Sequence, residues 1–179
     1  SRYDSTGEPT MNASGEHAAT YVRDAHGLIL EECRFGLDGP MAAATLFGAH
    51  CVSYRHDARG LVTRVAYFGV HRRAIVSERT GAHQALYTHD DVGRLTAKRY
   101  RDAFGKPTPT HQGAYGVLIE HDRFGNVTSF RYVDASDAPL VTFGGISEVR
   151  LARDVIGREV HRCFFAPSRG GATSRPAPL

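Results

Sequence analysis

The sequence predicts an all-β fold built from tandem antiparallel two-stranded repeats, forming a curved sheet or solenoid-like array. Three observations carry this. One turn motif recurs in register five times along the 179 residues. The runs between the motifs alternate with period two or are rich in β-branched and aromatic residues. Gly, Asp and Pro punctuate the chain at regular intervals, as turns require. About five units and about ten strands follow.

The motif comes first, because it sets the repeat. An apolar-x-x-Asp-x-x-Gly core runs from Tyr21 to Gly27, Tyr54 to Gly60, Tyr87 to Gly93, Ile119 to Gly125 and Leu151 to Gly157. Its aspartates, Asp24, Asp57, Asp90, Asp122 and Asp154, are spaced 33, 33, 32 and 32 residues apart. Asp accepts hydrogen bonds from backbone N–H groups two residues on. Gly27, Gly60, Gly93, Gly125 and Gly157 tolerate positive φ at the exit, so each motif reads as a turn. A calcium loop would concentrate several oxygen ligands in one such segment. Here each turn holds about one carboxylate, and turn capping is the better reading.

The strands flank that turn. Before it, His50, Val52, Tyr54 and His56 alternate with Ala49, Cys51, Ser53 and Arg55, the pattern of a half-buried strand. After it comes a second run that ends in an aromatic, at Phe35, Phe68, Tyr100, Tyr132 and Phe165. A second turn follows and ends in Pro at Pro40, Pro107 and Pro139, and Pro167 extends that series. A Gly stands six residues before each motif, at Gly15, Gly48, Gly81, Gly113 and Gly145. The units are therefore placed near residues 10–40, 41–73, 74–107, 108–139 and 140–167, within a β-repeat domain over 10–165. Met41-Ala-Ala-Ala-Thr-Leu46 is the one stretch that reads as a helical turn. Residues 1–9 match the end of a unit, since Tyr3-Asp4 to Pro9 parallels Arg101-Asp102 to Pro107. This phase, together with Ser1 in place of an initiator Met, leads us to expect a piece of something longer. Residues 166–179 are mostly Pro, Gly, Ser, Ala and Arg, a composition expected to form a disordered tail.

The Tyr-x-x-Asp-x-x-Gly motif followed by a strand resembles the YD repeats of the bacterial Rhs family. Tyr87-Thr-His-Asp90-Asp-Val-Gly93 matches best, and Tyr54 to Gly60 comes next. The resemblance implies an antiparallel β-ribbon that serves as a shell or scaffold, or contacts surface carbohydrate. Those repeats recur nearer twenty residues, Ile119 and Leu151 replace the Tyr here, and five units are too few for a closed shell.

Composition narrows the function. The net charge is +3, and Lys and Arg are scattered without a basic run, so no nucleic-acid footprint is expected. No stretch is apolar enough to suggest a membrane span. No nucleophile or phosphate-loop signature is present, and we expect no catalytic residues and no cofactor. Cys33, Cys51 and Cys163 form no Cys-x-x-Cys pair and are expected to be free thiols, which favours a reducing compartment. The family resemblance points instead to a secreted or surface setting.

Aligning the units places histidines in two rows. His17, His50 and His83 sit two residues after the leading Gly, and His56, His89 and His121 sit just before the turn Asp. Arg23 and Arg153 take the second position in the outer units. Such rows can hold Zn²⁺ or sense pH, or else cap an aromatic core and bond turn carbonyls. Positions expected to face outward vary in charge between units, as at Glu31, Arg64, Ala97, Ser129 and His161. The expectation is a noncatalytic scaffold or protein-binding module whose partner is a protein or another segment of the same polypeptide. The alternatives are a fragment of a larger toxin or hydrolase and a carbohydrate-binding module.

Overall fold

A computed structural model describes residues 2–43 and 46–166. Eleven strands form in chain order: β1 (Ala18–Arg23), β2 (Ile29–Gly36), β3 (Gly39–Pro40), β4 (Cys51–His56), β5 (Val62–Phe68), β6 (Gln84–His89), β7 (Leu95–Arg101), β8 (Gly116–His121), β9 (Val127–Val133), β10 (Glu148–Arg153) and β11 (Glu159–Phe165). All described pairings are antiparallel. Ten strands fall in pairs around the five Asp turns, and β3 is a two-residue extra. Among the described residues there is no α-helix, and no helix is long and apolar enough to cross a membrane. The expected helical turn after Met41 is one tight turn, with the Leu46 and Gly48 N–H groups both donating to the Ala43 carbonyl at 3.0 Å. The tail from Pro167 onward lies outside the described residues.

Two compact units divide the chain. The first gathers the chain up to Leu86 with Arg101–Lys106, and the second takes Tyr87–Tyr100 and the chain from Pro107 onward. In the first, Leu46, Cys51, Val52, Val65, Ala66 and Tyr67 are buried. In the second, Val133, Val149 and Leu151 are buried, and Val133 is fully so.

The turns reuse one chemistry. At Asp57, one carboxylate oxygen accepts the Arg59 and Leu61 N–H groups at 2.9 Å each, and the Gly60 N–H donates to the Asp57 carbonyl at 3.0 Å. Gly60 sits at φ +81°, where a Cβ would be strained. Asp24, Asp90, Asp122 and Asp154 bond in the same way to the residues two and four on. Asp4, Asp102 and Asp134 repeat the arrangement at the Pro-terminated turns.

The expected unit of two strands and two turns needs a third turn. The leading glycines close it: the Gly15, Gly113 and Gly145 N–H groups donate to the Asn12, Thr110 and Thr142 carbonyls at 2.8–2.9 Å. Asn or Thr replaces Asp there, which is why the aspartate pattern misses it. A bulge is a second departure. Register slips at Val22/Arg23, Arg55/His56, Glu120/His121 and Ala152/Arg153. The period-two alternation therefore holds through Arg55 and breaks at His56, because a bulge places two residues opposite one.

Two further expectations are corrected. Cys33 and Cys51 are joined in a disulfide, and only Cys163 is a free thiol. Their 18-residue separation hid the pairing. The β2–β4 register sets Cys33 directly opposite Cys51, with Cα atoms 4.1 Å apart, so the argument from free thiols to a reducing compartment falls. Ala97 and Ser129 do not face outward: they are 4% and 3% exposed. Each is small and lies beside longer cross-strand neighbours, Leu118 for Ala97, and Glu120 and Arg150 for Ser129.

Candidate functional site

The first histidine row performs a structural task in each of its three repeats. His17, His50 and His83 place Nδ1 at 2.9, 2.8 and 2.9 Å from the Thr10, Arg34 and Ile75 carbonyl oxygens. Their rings stand edge-on to Tyr3, Phe35 and Phe68, with centroids 5.8, 5.1 and 5.3 Å away. A carbonyl acceptor demands a hydrogen on Nδ1, so each ring donates to the backbone while covering the preceding aromatic. Tyr115 and Ser147 hold the position in the second unit. There the Ser147 hydroxyl reaches the Phe165 carbonyl at 3.0 Å.

The second row behaves differently. His56, His89 and His121 are half-buried, and His56 Nδ1 is buried with no hydrogen-bond partner among the described residues. Arg23 and Arg153, at the same position, donate to the Gly27 and Gly157 carbonyls at 2.7 and 3.0 Å and clamp their own turns. Neither row converges among the described residues: no three of these histidines gather within ligand distance.

Strand alternation builds a more extensive surface from equivalent positions. In the first unit this face carries charge. Arg34 pairs with Glu32 at 3.2 Å and Glu16 at 3.7 Å, and Tyr54 donates to Glu32 at 2.6 Å. Burial disfavours the Arg34 charge, but the Tyr21 hydroxyl, Glu32 and Glu16 outweigh it and raise its pKa above the ordinary value. Burial, reinforced by the hydrogen bond to Glu32, pushes the Tyr54 phenol up and keeps it a donor.

In the second unit the position of Arg34 is aromatic throughout, while that of Glu32 holds Lys98, Phe130 and Arg162. Tyr100, Tyr132 and Phe164 take the place of Arg34. Val117, Ile119 and Val149 fill the intervening strands. Together they line a groove of about 340 Å³, with Lys98 and Arg162 contributing two cations to it. The repeat's turn tips are apolar here as well: Val92, Phe124 and Ile156, each two residues after its turn Asp, are 76%, 75% and 70% exposed. The first unit has His26 and Arg59 at those tips. The aromatic that ends each second run is legible in the sequence, but the face is not, because face membership needs the cross-strand register.

A partly buried apolar groove can hold an extended apolar segment. No protein-family model matches this chain, and no curated protein matches it in sequence.

Proposed function

We propose that the chain is a noncatalytic β-repeat module, part of a larger bacterial scaffold protein, that binds a polypeptide on the apolar face of its second unit. The partner is a separate protein or another segment of the same polypeptide. One observation carries the reading: aliphatic and aromatic side chains from five successive strands, β7 to β11, form one groove. Aliphatic Val117, Ile119 and Val149 stand between the aromatics. That ridged surface suits side chains of a peptide better than the open aromatic platforms on which sugar rings stack. Phe104, Phe124 and Phe143, the most exposed aromatics among the described residues, lie outside the strands. The resemblance to YD repeats supports the scaffold role.

Panning a random peptide library on the immobilised chain, with a glycan array probed in parallel, tests this. The expected result is enrichment of apolar peptides whose binding Ile119→Lys abolishes. Enrichment on the glycan array alone would favour the carbohydrate alternative and sink the reading. Turnover of a peptide or glycan substrate would favour the hydrolase alternative and sink it equally.

A further inference from the structure

The disulfide is more than a cross-link between neighbouring strands. Beside it lies His50, and the ligand atoms of Cys33, Cys51 and His50 are within 4.8 Å of one another. All three residues are buried, at 7%, 1% and 8% exposure. This is the single group of three such residues among those described.

The repeat accounts for its singularity. His17 and His83 occupy the same repeat position as His50, but Ala18 and Gln84 follow them where Cys51 follows His50. Ala66 holds the position of Cys33 in the next hairpin. Two sulfurs and an imidazole therefore meet at one hairpin junction alone.

We propose that Cys33, Cys51 and His50 form a redox-gated site for a thiophilic cation such as Zn²⁺. In the oxidised chain the sulfurs are bonded to each other and offer no thiolate. A dithiol reductant breaks the S–S bond: it supplies two electrons and two protons and leaves as its own disulfide, and Cys33 and Cys51 become thiols. Zn²⁺ then displaces both thiol protons and takes two thiolates and a neutral imidazole. The soft sulfur donors select such a cation over Mg²⁺ or Ca²⁺. The backbone already sets the tautomer of His50. Its Nδ1 is 2.8 Å from the Arg34 carbonyl oxygen and 3.3 Å from that of Met41, both acceptors. The hydrogen therefore sits on Nδ1 and the lone pair on Nε2, and a backbone carbonyl fixes the ring as in established metal sites. Glu31 Oε1 lies 3.6 Å from Cys33 Sγ and places a carboxylate at the rim of the cluster.

The test uses the chain carrying Cys163→Ser, so that the two site thiols are the only ones. Zn²⁺ is titrated against a chromophoric chelator before and after reduction with a phosphine, and Co²⁺ is added to look for thiolate-to-metal charge-transfer bands. The proposal expects one equivalent bound after reduction, none in the oxidised chain, and both thiols shielded from alkylation by the metal. His50→Gln is expected to weaken binding at least about tenfold. Equal binding in both redox states, no binding after reduction, or full affinity in His50→Gln each overturns it. Should the variant lose its β-sheet circular dichroism, the comparison of the two redox states still decides.

Discussion

Tyr54 donates its phenolic hydrogen to Glu32 at 2.6 Å across the β2–β4 pair, and Arg34 holds the other carboxylate oxygen of Glu32 at 3.2 Å. A carboxylate on a half-buried face depends on such donors, because a buried acceptor left unpaired bears its full desolvation cost. Tyr54→Phe keeps the ring and removes one donor. We expect a loss of ~1–3 kcal/mol in urea unfolding, with Tyr54→Phe/Glu32→Gln losing less than the sum of the single changes. Simple additivity of the three variants would show that the pair is uncoupled.

Acid should weaken the fold through the turn carboxylates. The Leu61 backbone N–H, the Asn126 amide and the Arg158 guanidinium hold Asp57, Asp122 and Asp154, respectively, below the ordinary carboxylate pKa. A carboxyl whose pKa is lower in the folded chain binds more protons when unfolded. Its contribution is thus complete above the unfolded value, about 3.9, and lost as pH falls through the folded one. The urea midpoint is expected to be level near neutrality and to fall below about pH 4. A midpoint that holds steady into strong acid would remove these turns as the pH-sensitive element.

Gly116 is required by space and not by backbone angle. A Cβ there would lie 2.7 Å from the Lys98 carbonyl oxygen and 3.0 Å from Val133 Cγ2, and Val133 is fully buried. Backbone on one side and packed core on the other leave no direction to yield. Gly116→Ala should cost ~1–3 kcal/mol, read from chemical denaturation. Gly105→Ala meets nothing within 4 Å, so any loss there comes from its φ of +81° alone. Equal midpoints for Gly116→Ala and the parent chain would contradict the crowding.

Reduction should loosen the first unit. The disulfide closes a separation of 18 residues, and a loop of that size restricts the unfolded chain by ~3 kcal/mol. Denaturation with and without reductant, in metal-free buffer, is expected to differ by about that amount. Restoration of the lost stability by Zn²⁺ belongs to the separate metal proposal, so the two outcomes can be told apart.

The turns were legible because their chemistry is local: an Asp oxygen reaches backbone N–H groups two and four residues on, and a Gly three residues on accepts positive φ. Asp57 and Gly60 act within a few bonds of each other, and so do their counterparts around every hairpin. The five-fold repeat and the ten main strands follow from that alone. The third turn escaped because Asn12, Thr110 and Thr142 share its geometry but not the Asp identity.

Only the tertiary structure decided which residues meet. Cys33 finds Cys51, Ala97 shelters beside Leu118, and the place held by Arg34 in the charged network of the first unit belongs to Tyr100 and Tyr132 in the apolar groove of the second. Each depends on the register between strands that are separate in sequence. Side chains alternate with period two, so a one-residue slip exchanges the two faces. Local pattern determines where the chain turns, but cross-strand hydrogen bonding determines what stands opposite what.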